Sequence, residues 1–266
     1  MGEEVLTEVD PQRPSGARVY DYYLGGRHNF AADRQAAEVA LAAMPDLPAV
    51  LRSGRSFLRR AVLAAGCDQY LDLGSGIPAP GSIRDLRPDA KIFSVDLDAV
   101  AVVHTRRVAG GNPDSGVLQA DLTDAATVLD AAAGLLDLDR PVCLLAVAVA
   151  HFLPDTERLG RALERYREAL APGSRLVLSH ACADDYPPHA RQVLRLYNNT
   201  TSPMMLRERD EVLALFGDWP LLPPGLVAAC EWRPEPGDEN DEMVRRSLLA
   251  GVAVKPAGVR LVDGDQ

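Results

Sequence analysis

The chain has 266 residues, 47% of them hydrophobic and 25% charged, enough for one full-sized α/β domain or one domain with a small appendage. A net charge of −10 and a pI of about 5.0 disfavour nucleic-acid or anionic-membrane binding, because phosphate binding runs on clustered Lys and Arg. Cys67, Cys143, Cys182 and Cys230 lie far apart in or beside apolar runs, without C-x-x-C or Cys/His spacing; buried reduced thiols and no metal are expected.

The first ten residues, M-G-E-E-V-L-T-E-V-D, lack the basic flank and apolar core of a signal peptide, and Gly2 does not fit the myristoylation pattern. The longest apolar run, 142–150, is too short to span a bilayer, so a cytoplasmic protein without membrane association is expected. Residues 14–30 are dense in aromatics, with Tyr20, Tyr22, Tyr23 and Phe30, and are broken at Gly25-Gly26. Asn29 is placed to cap a helix expected over 33–44. Pro48 suits the first turn of a second helix reaching residue 65, with Gly66 as its C-cap.

A repeating unit follows. Strands are predicted over 69–73, 91–95, 117–120, 142–150 and 175–179, alternating with helices over 81–86, 98–108, 124–133 and 155–170. This rhythm predicts a parallel sheet with helices on both faces, and the apolar run 142–150 is its central strand. The last third reads as helices over 187–197 and 206–216, then strands over 226–232 and 248–254 paired antiparallel at the sheet edge.

The chemistry gathers at the ends of the first three strands. Asp72 runs into Gly74-Ser75-Gly76, a turn that lets backbone approach a ligand. Asp96, 24 residues on, is spaced for ribose hydroxyls, and Asp121-Leu122 for an exocyclic amine and a flat purine face. Asp96, Asp98, Asp121 and Asp124 also suit helix N-caps. G-S-G-I-P-A (74–79) fits a dinucleotide fingerprint, but Asp72 would repel a pyrophosphate, and Pro78 and Pro80 spoil close helix packing. A cation with a free amino group suits Asp72 better, as in S-adenosylmethionine.

D-L-G-S-G (72–76), the acid of S-V-D-L-D (94–98), A-D-L-T-D (120–124) and A-V-A-H-F (148–152) resemble the four cofactor motifs of class I S-adenosylmethionine-dependent methyltransferases. P-S-G-A-R-V-Y-D-Y-Y-L-G-G-R-H-N-F-A-A-D-R (14–34) is similar to the opening signature of an actinobacterial S-adenosyl methyltransferase family once classed as a domain of unknown function. The resemblance continues through H-F-L-P-D (151–155) and A-P-G-S-R-L-V-L-S-H (171–180) and spans nearly the whole chain. The chain departs from that family at His28, where Asp is usual, and at Gly54, where Asn is usual; its connection after Gly81 is shorter.

The resemblance implies a Rossmann-like α/β fold with a seven-stranded, mostly parallel sheet and an antiparallel last strand. It implies an N-terminal arm and helix over 1–45 covering a cofactor domain over 46–266. Asp72, Gly74, Ser75 and Gly76 then face the methionine moiety of S-adenosylmethionine, Asp96 with Leu97 the ribose, and Asp121 with Leu122 the adenine. Ala148 to His151 flank the methyl group. Arg55 is a candidate partner for the cofactor carboxylate. His151 is the candidate catalytic base, with His180 a weaker second. Tyr20, Tyr22, Tyr23, Arg27 and Asn29 are candidates for the substrate side. The expected activity is methyl transfer to a small-molecule acceptor; a non-catalytic cofactor-binding protein and an NAD-dependent oxidoreductase are the alternatives.

Overall fold

The computed structural model describes residues 9–184, 191–198, 200–238 and 240–257, and of Arg191 and Gln192 only the backbone. Its first helices are α1 (Gly16–Tyr23), α2 (Ala31–Ala43) and α3 (Leu47–Ala65). Then β1 (Gln69–Leu73), α4 (Ile83–Leu86), β2 (Lys91–Asp96), α5 (Ala99–Ala109), β3 (Ser115–Gln119) and α6 (Ala125–Ala132) alternate. They are followed by β4 (Cys143–Val147), α7 (Thr156–Ala169) and β5 (Arg175–Ala181). The chain closes with α8 (Arg191–Tyr197), α9 (Arg209–Ala214), β6 (Val227–Ala228), α10 (Glu242–Ser247) and β7 (Leu248–Val254).

The strands form one seven-stranded sheet in the order β3-β2-β1-β4-β5-β7-β6. The pairs among β1 to β5 are parallel, and β7 runs antiparallel to both β5 and β6. This is the expected class I methyltransferase architecture. The late strands do pair antiparallel, but β7 lies inside β6, against β5.

Successive strand residues feed opposite faces. Tyr70, Leu145, Val177 and Val252 join Phe57 and Trp232 in a core under α3; Leu71, Leu144, Leu176 and Ala253 join Tyr166 in a core under α6 and α7. Such burial on both faces explains the unbroken apolar run of the central strand. Gly66, with φ of 62°, ends α3 as expected.

Several local expectations change. Residues 16–23, read only as aromatic-rich, form helix α1. Asn29 does not cap α2: its side-chain amide donates to Asp21 and to the Gly26 carbonyl, at 2.7 and 3.1 Å. The α2 entrance is closed instead by Asp33, which accepts the Phe30 N–H at 2.7 Å. The central strand stops at Val147, because Ala148 takes a left-handed φ of 54° and donates its N–H to Ser179 Oγ at 2.9 Å. The strand expected over 226–232 is two residues long, and a 3-10 turn (Ala229–Glu231) follows it. Of the helix expected over 187–197, residues 187–190 lie outside the described residues, as does Gly2.

Candidate functional site

Strand ends β1 to β4 open into one cleft of about 580 Å³, a size suited to a small molecule. Asp72, Gly74, Gly76, Asp96, Asp121 and Ala148 line its sheet side, and Gly16, Tyr20 and Phe152 are among the residues that wall it. The structure therefore brings the three strand-end carboxylates together around the glycine turn.

Backbone geometry holds that turn. Gly74 and Ser75 both donate N–H bonds to the Val95 carbonyl, at 2.8 and 3.1 Å, which locks β1's exit onto β2. Gly74 has φ of 68°, and a Cβ there would lie 2.2 Å from Val149 Cγ2, so only glycine fits. Gly76 also has positive φ, at 65°, but a Cβ there would meet nothing within 4 Å. Both glycines line the cleft, but Gly74 is also required by its packing against Val149, whereas Gly76 has open space beside it.

The acids differ in their surroundings. Asp96 accepts the N–H of Gly76 at 2.7 Å and of Asp98 at 2.8 Å. Burial pushes its carboxyl up to about 6, against the pull of those N–H groups. Asp72 is pushed up to about 7, first by burial and then by the charge of Asp96, with Arg55 opposing. A cationic group bound there would restore its charge. Asp121 is engaged more heavily: Oδ1 accepts the Thr123 N–H and hydroxyl at 2.8 and 2.6 Å, and Oδ2 accepts from Arg158 at 2.8 Å. Leu122 is buried, whereas Leu97 is 64% exposed beside Asp96 and gives the cleft an apolar lip.

Arg55 lines the cleft and donates to the Pro80 carbonyl at 2.9 Å. Its charge acts on both Asp72 and Tyr20, and burial raises the Tyr20 phenol above its ordinary value. Tyr20 is the one member of the expected substrate-side group that reaches the cleft. Tyr22 bonds Glu38, and both Tyr22 and Tyr23 pack against the core under α3 rather than lining the cleft. Arg27 is exposed outside the cleft, and Asn29 is spent on Asp21.

His151 is also displaced from its expected role. It sits in a 3-10 turn (Ala150–Phe152), only 6% exposed and outside the cleft lining, where Phe152 takes the place at the wall. Its Nδ1 accepts the Ala181 N–H at 3.4 Å. Burial, then His180 and Arg207, hold it well below the ordinary imidazole value, so it stays neutral behind the cleft. His180 is fully buried as well.

Arg18, Ser15 and Ser202 were not picked out by the sequence reading. Buried Arg18 joins Asp33 and Asp98 and donates to the Arg13 carbonyl at 2.6 Å. Ser15 Oγ also bonds Asp98, and the Gly16 N–H donates to Ser202 Oγ at 3.1 Å. These bonds fasten α1 over the cleft, two residues from Asp96. A 15-residue spacing from Arg18 to Asp33 carries no periodic signal.

A family model described as S-adenosyl methyltransferase matches residues 2–256. Two solved actinobacterial structures are similar. One is a Thermobifida fusca protein assigned as a methyltransferase, with 33% identity over 92% of this chain and 96% of that one and a TM-score of 0.85. The other is a DUF574 family protein from Streptomyces avermitilis, with 30% identity over 94% and 100% and a TM-score of 0.87. The N-methyltransferase NodS of Bradyrhizobium japonicum, in complex with S-adenosyl-L-homocysteine, shares the fold at 13% identity, with 78% and 88% of the chains covered and a TM-score of 0.51. No curated protein matches the sequence significantly. The carboxylate-rimmed glycine cleft and the match across nearly the whole chain lead to one conclusion: this chain belongs to the S-adenosyl methyltransferase family.

Proposed function

We propose that the protein transfers the methyl group of S-adenosylmethionine to a small-molecule acceptor. The observation that carries this reading is the meeting of Asp72, Asp96 and Asp121 around Gly74–Gly76 in one cleft. The residues fit such a cofactor. Asp72, desolvated beside Arg55, suits the ammonium and carboxylate of an amino-acid moiety. Asp96 is fixed by two N–H bonds with Leu97 open beside it, which suits a ribose. Asp121 would share its carboxylate between Arg158 and an adenine amine.

When bound, the cofactor supplies a methyl group activated for in-line displacement. The protein's contribution is to hold the acceptor in line and to exclude water, which needs no dedicated base. Tyr20 and Phe152, from α1 and the β4 exit, are the aromatic walls for that task. Calorimetry with S-adenosylmethionine and S-adenosylhomocysteine tests the reading. Micromolar binding that Asp96→Asn weakens is the expected result; binding of neither compound would sink it.

A second reading is a cofactor-binding protein without transfer activity. It is favoured by the withdrawal of His151, which leaves the cleft lining without a histidine among the described residues. A labelled methyl group appearing on any metabolite in a cell extract would eliminate it. An NAD-dependent oxidoreductase fits less well, because Asp72 beside the glycine turn repels a pyrophosphate; NAD binding in the same calorimetry would reverse that order.

A further inference from the structure

We propose that Arg207 is a positioning residue for this cleft: through His180 and the carbonyls of Ala150 and Leu153, it sets the turn that brings Phe152 and Leu153 to the cleft wall. Its ligand readout rests on the cofactor reading above; its structural readouts do not.

Arg207 is fully buried, just before α9. Nη1 donates to His180 Nε2 at 2.8 Å and to the Ala150 carbonyl at 3.2 Å. Nη2 donates to the Leu153 carbonyl at 2.7 Å and to Thr156 Oγ1 at 3.0 Å. Among the described residues no carboxylate touches the guanidinium, and Glu211 is the acid whose charge reaches it. Burying a cation without a counterion is costly, so filling this space would be met more cheaply by an apolar side chain. What Arg provides is a rigid planar fork. Here it ties both ends of the turn 150–153 and the first residue of α7 to one rigid group.

The partners are fixed in turn. For Nε2 of His180 to accept from Arg207, its proton must sit on Nδ1, which lies 2.7 Å from the Ala181 carbonyl. The ring is neutral, pushed down to about 4 chiefly by burial. Ala181 donates to His151, and the His151 carbonyl accepts the Met205 N–H at 2.7 Å. A closed circuit of β5, the 3-10 turn and residues 205–207 therefore stands behind Phe152. A Cβ added to Gly16 would come 3.5 Å from Phe152 Cζ, so the turn also sets the spacing to α1. Small errors in such a wall are expensive for a reaction that depends on positioning.

The test uses Arg207→Met, Arg207→Lys and His180→Gln, with Arg60→Met as a control. Arg60 is another buried arginine bonded to carbonyls, those of Trp232 and Ala229, and it lies outside the cleft lining. Three readouts are followed: hydrogen exchange of the Leu153 amide, which donates to Ala150 within the turn, the His180 tautomer by NMR, and S-adenosylhomocysteine affinity. Arg207→Met is expected to release the Leu153 amide, scramble the tautomer and weaken the ligand about tenfold, with partial recovery in Arg207→Lys. Arg60→Met should lower stability and change none of the three. Wild-type protection and tautomer in folded Arg207→Met overturn the proposal. If that variant does not fold, wild-type Leu153 amide protection in both Arg207→Lys and His180→Gln overturns it instead. Failure of wild-type protein to bind the ligand strikes the cofactor reading, and amide protection and tautomer still decide the role of Arg207.

Discussion

Arg18 Nε and Asp33 Oδ2 lie 2.9 Å apart with 4% and 0% of their side chains exposed, and the same guanidinium reaches Asp98 at 3.1 Å. Asp33 also accepts the backbone N–H groups of Ser15 at 3.0 Å and Phe30 at 2.7 Å. One carboxylate therefore joins the starts of α1 and α2, and one arginine joins both to the start of α5. Asp98 in turn caps α5 through the Val100 N–H at 2.8 Å and donates its own N–H to Asp96. The helical cover and the Asp96 side of the cleft are one bonded unit.

Removing Asp33 should be severe. Asp33→Ala leaves a buried guanidinium short of its main partner and two N–H groups unsatisfied. A loss of about 3–5 kcal/mol is expected, measured by urea denaturation. Asp33→Asn keeps an acceptor oxygen and should lose less. Equal losses in the two variants would show that shape, not charge, holds α1 in place.

The two glycines of the turn should respond differently to alanine. Gly74→Ala combines a left-handed backbone with a contact inside Val149, so it should destabilise the free protein by about 1–3 kcal/mol or more. Gly76→Ala carries only the backbone strain, about 1–2 kcal/mol, because its methyl points into open space. That space is the cleft, so Gly76→Ala should fold and yet bind S-adenosylhomocysteine weakly. Thermal melts with and without ligand separate the two effects.

What the sequence made legible follows local rules. Strand β1 and strand β7 match their expected limits because apolar runs between turn signals mark buried strands. Asp72, Asp96 and Asp121 were legible because strand ends share one edge of a parallel sheet. The illegible parts depend on contacts distant in sequence. Ala148 looks like one more apolar strand residue until Ser179 takes its N–H. His151 looks like a base beside the methyl group until β5 and Arg207 enclose it. The cluster of Tyr20, Tyr22 and Tyr23 reads as one aromatic patch, but Tyr20 lines the cleft while Tyr22 and Tyr23 pack on the core, a division set by what surrounds α1.

Asp72 should cost the empty protein stability at alkaline pH. Its folded value is pushed up to about 7 from 3.8, so between those values the folded state holds a proton that the unfolded state has lost. Stability from this group therefore falls as pH rises from about 4 to about 7. Asp72→Asn removes that slope and should melt higher than the parent at pH 8, with little difference at pH 4. A parent-like melting profile at pH 8 would mean that the carboxylate is well solvated.

The same proton should govern ligand binding with the opposite sign. A ligand ammonium favours ionised Asp72, so affinity for S-adenosylhomocysteine should rise with pH until Asp72 is ionised in the free protein, near pH 7. Below that value the loss approaches about tenfold per pH unit, less any help from Asp96, which is pushed up to about 6. Binding at pH 6 should then release close to one proton, visible as a dependence of calorimetric heat on buffer ionisation enthalpy. Asp72→Asn should bind weakly and release correspondingly fewer protons. Constant affinity between pH 5.5 and 8 in the parent would place the ammonium elsewhere and remove Asp72 from the ligand's contacts.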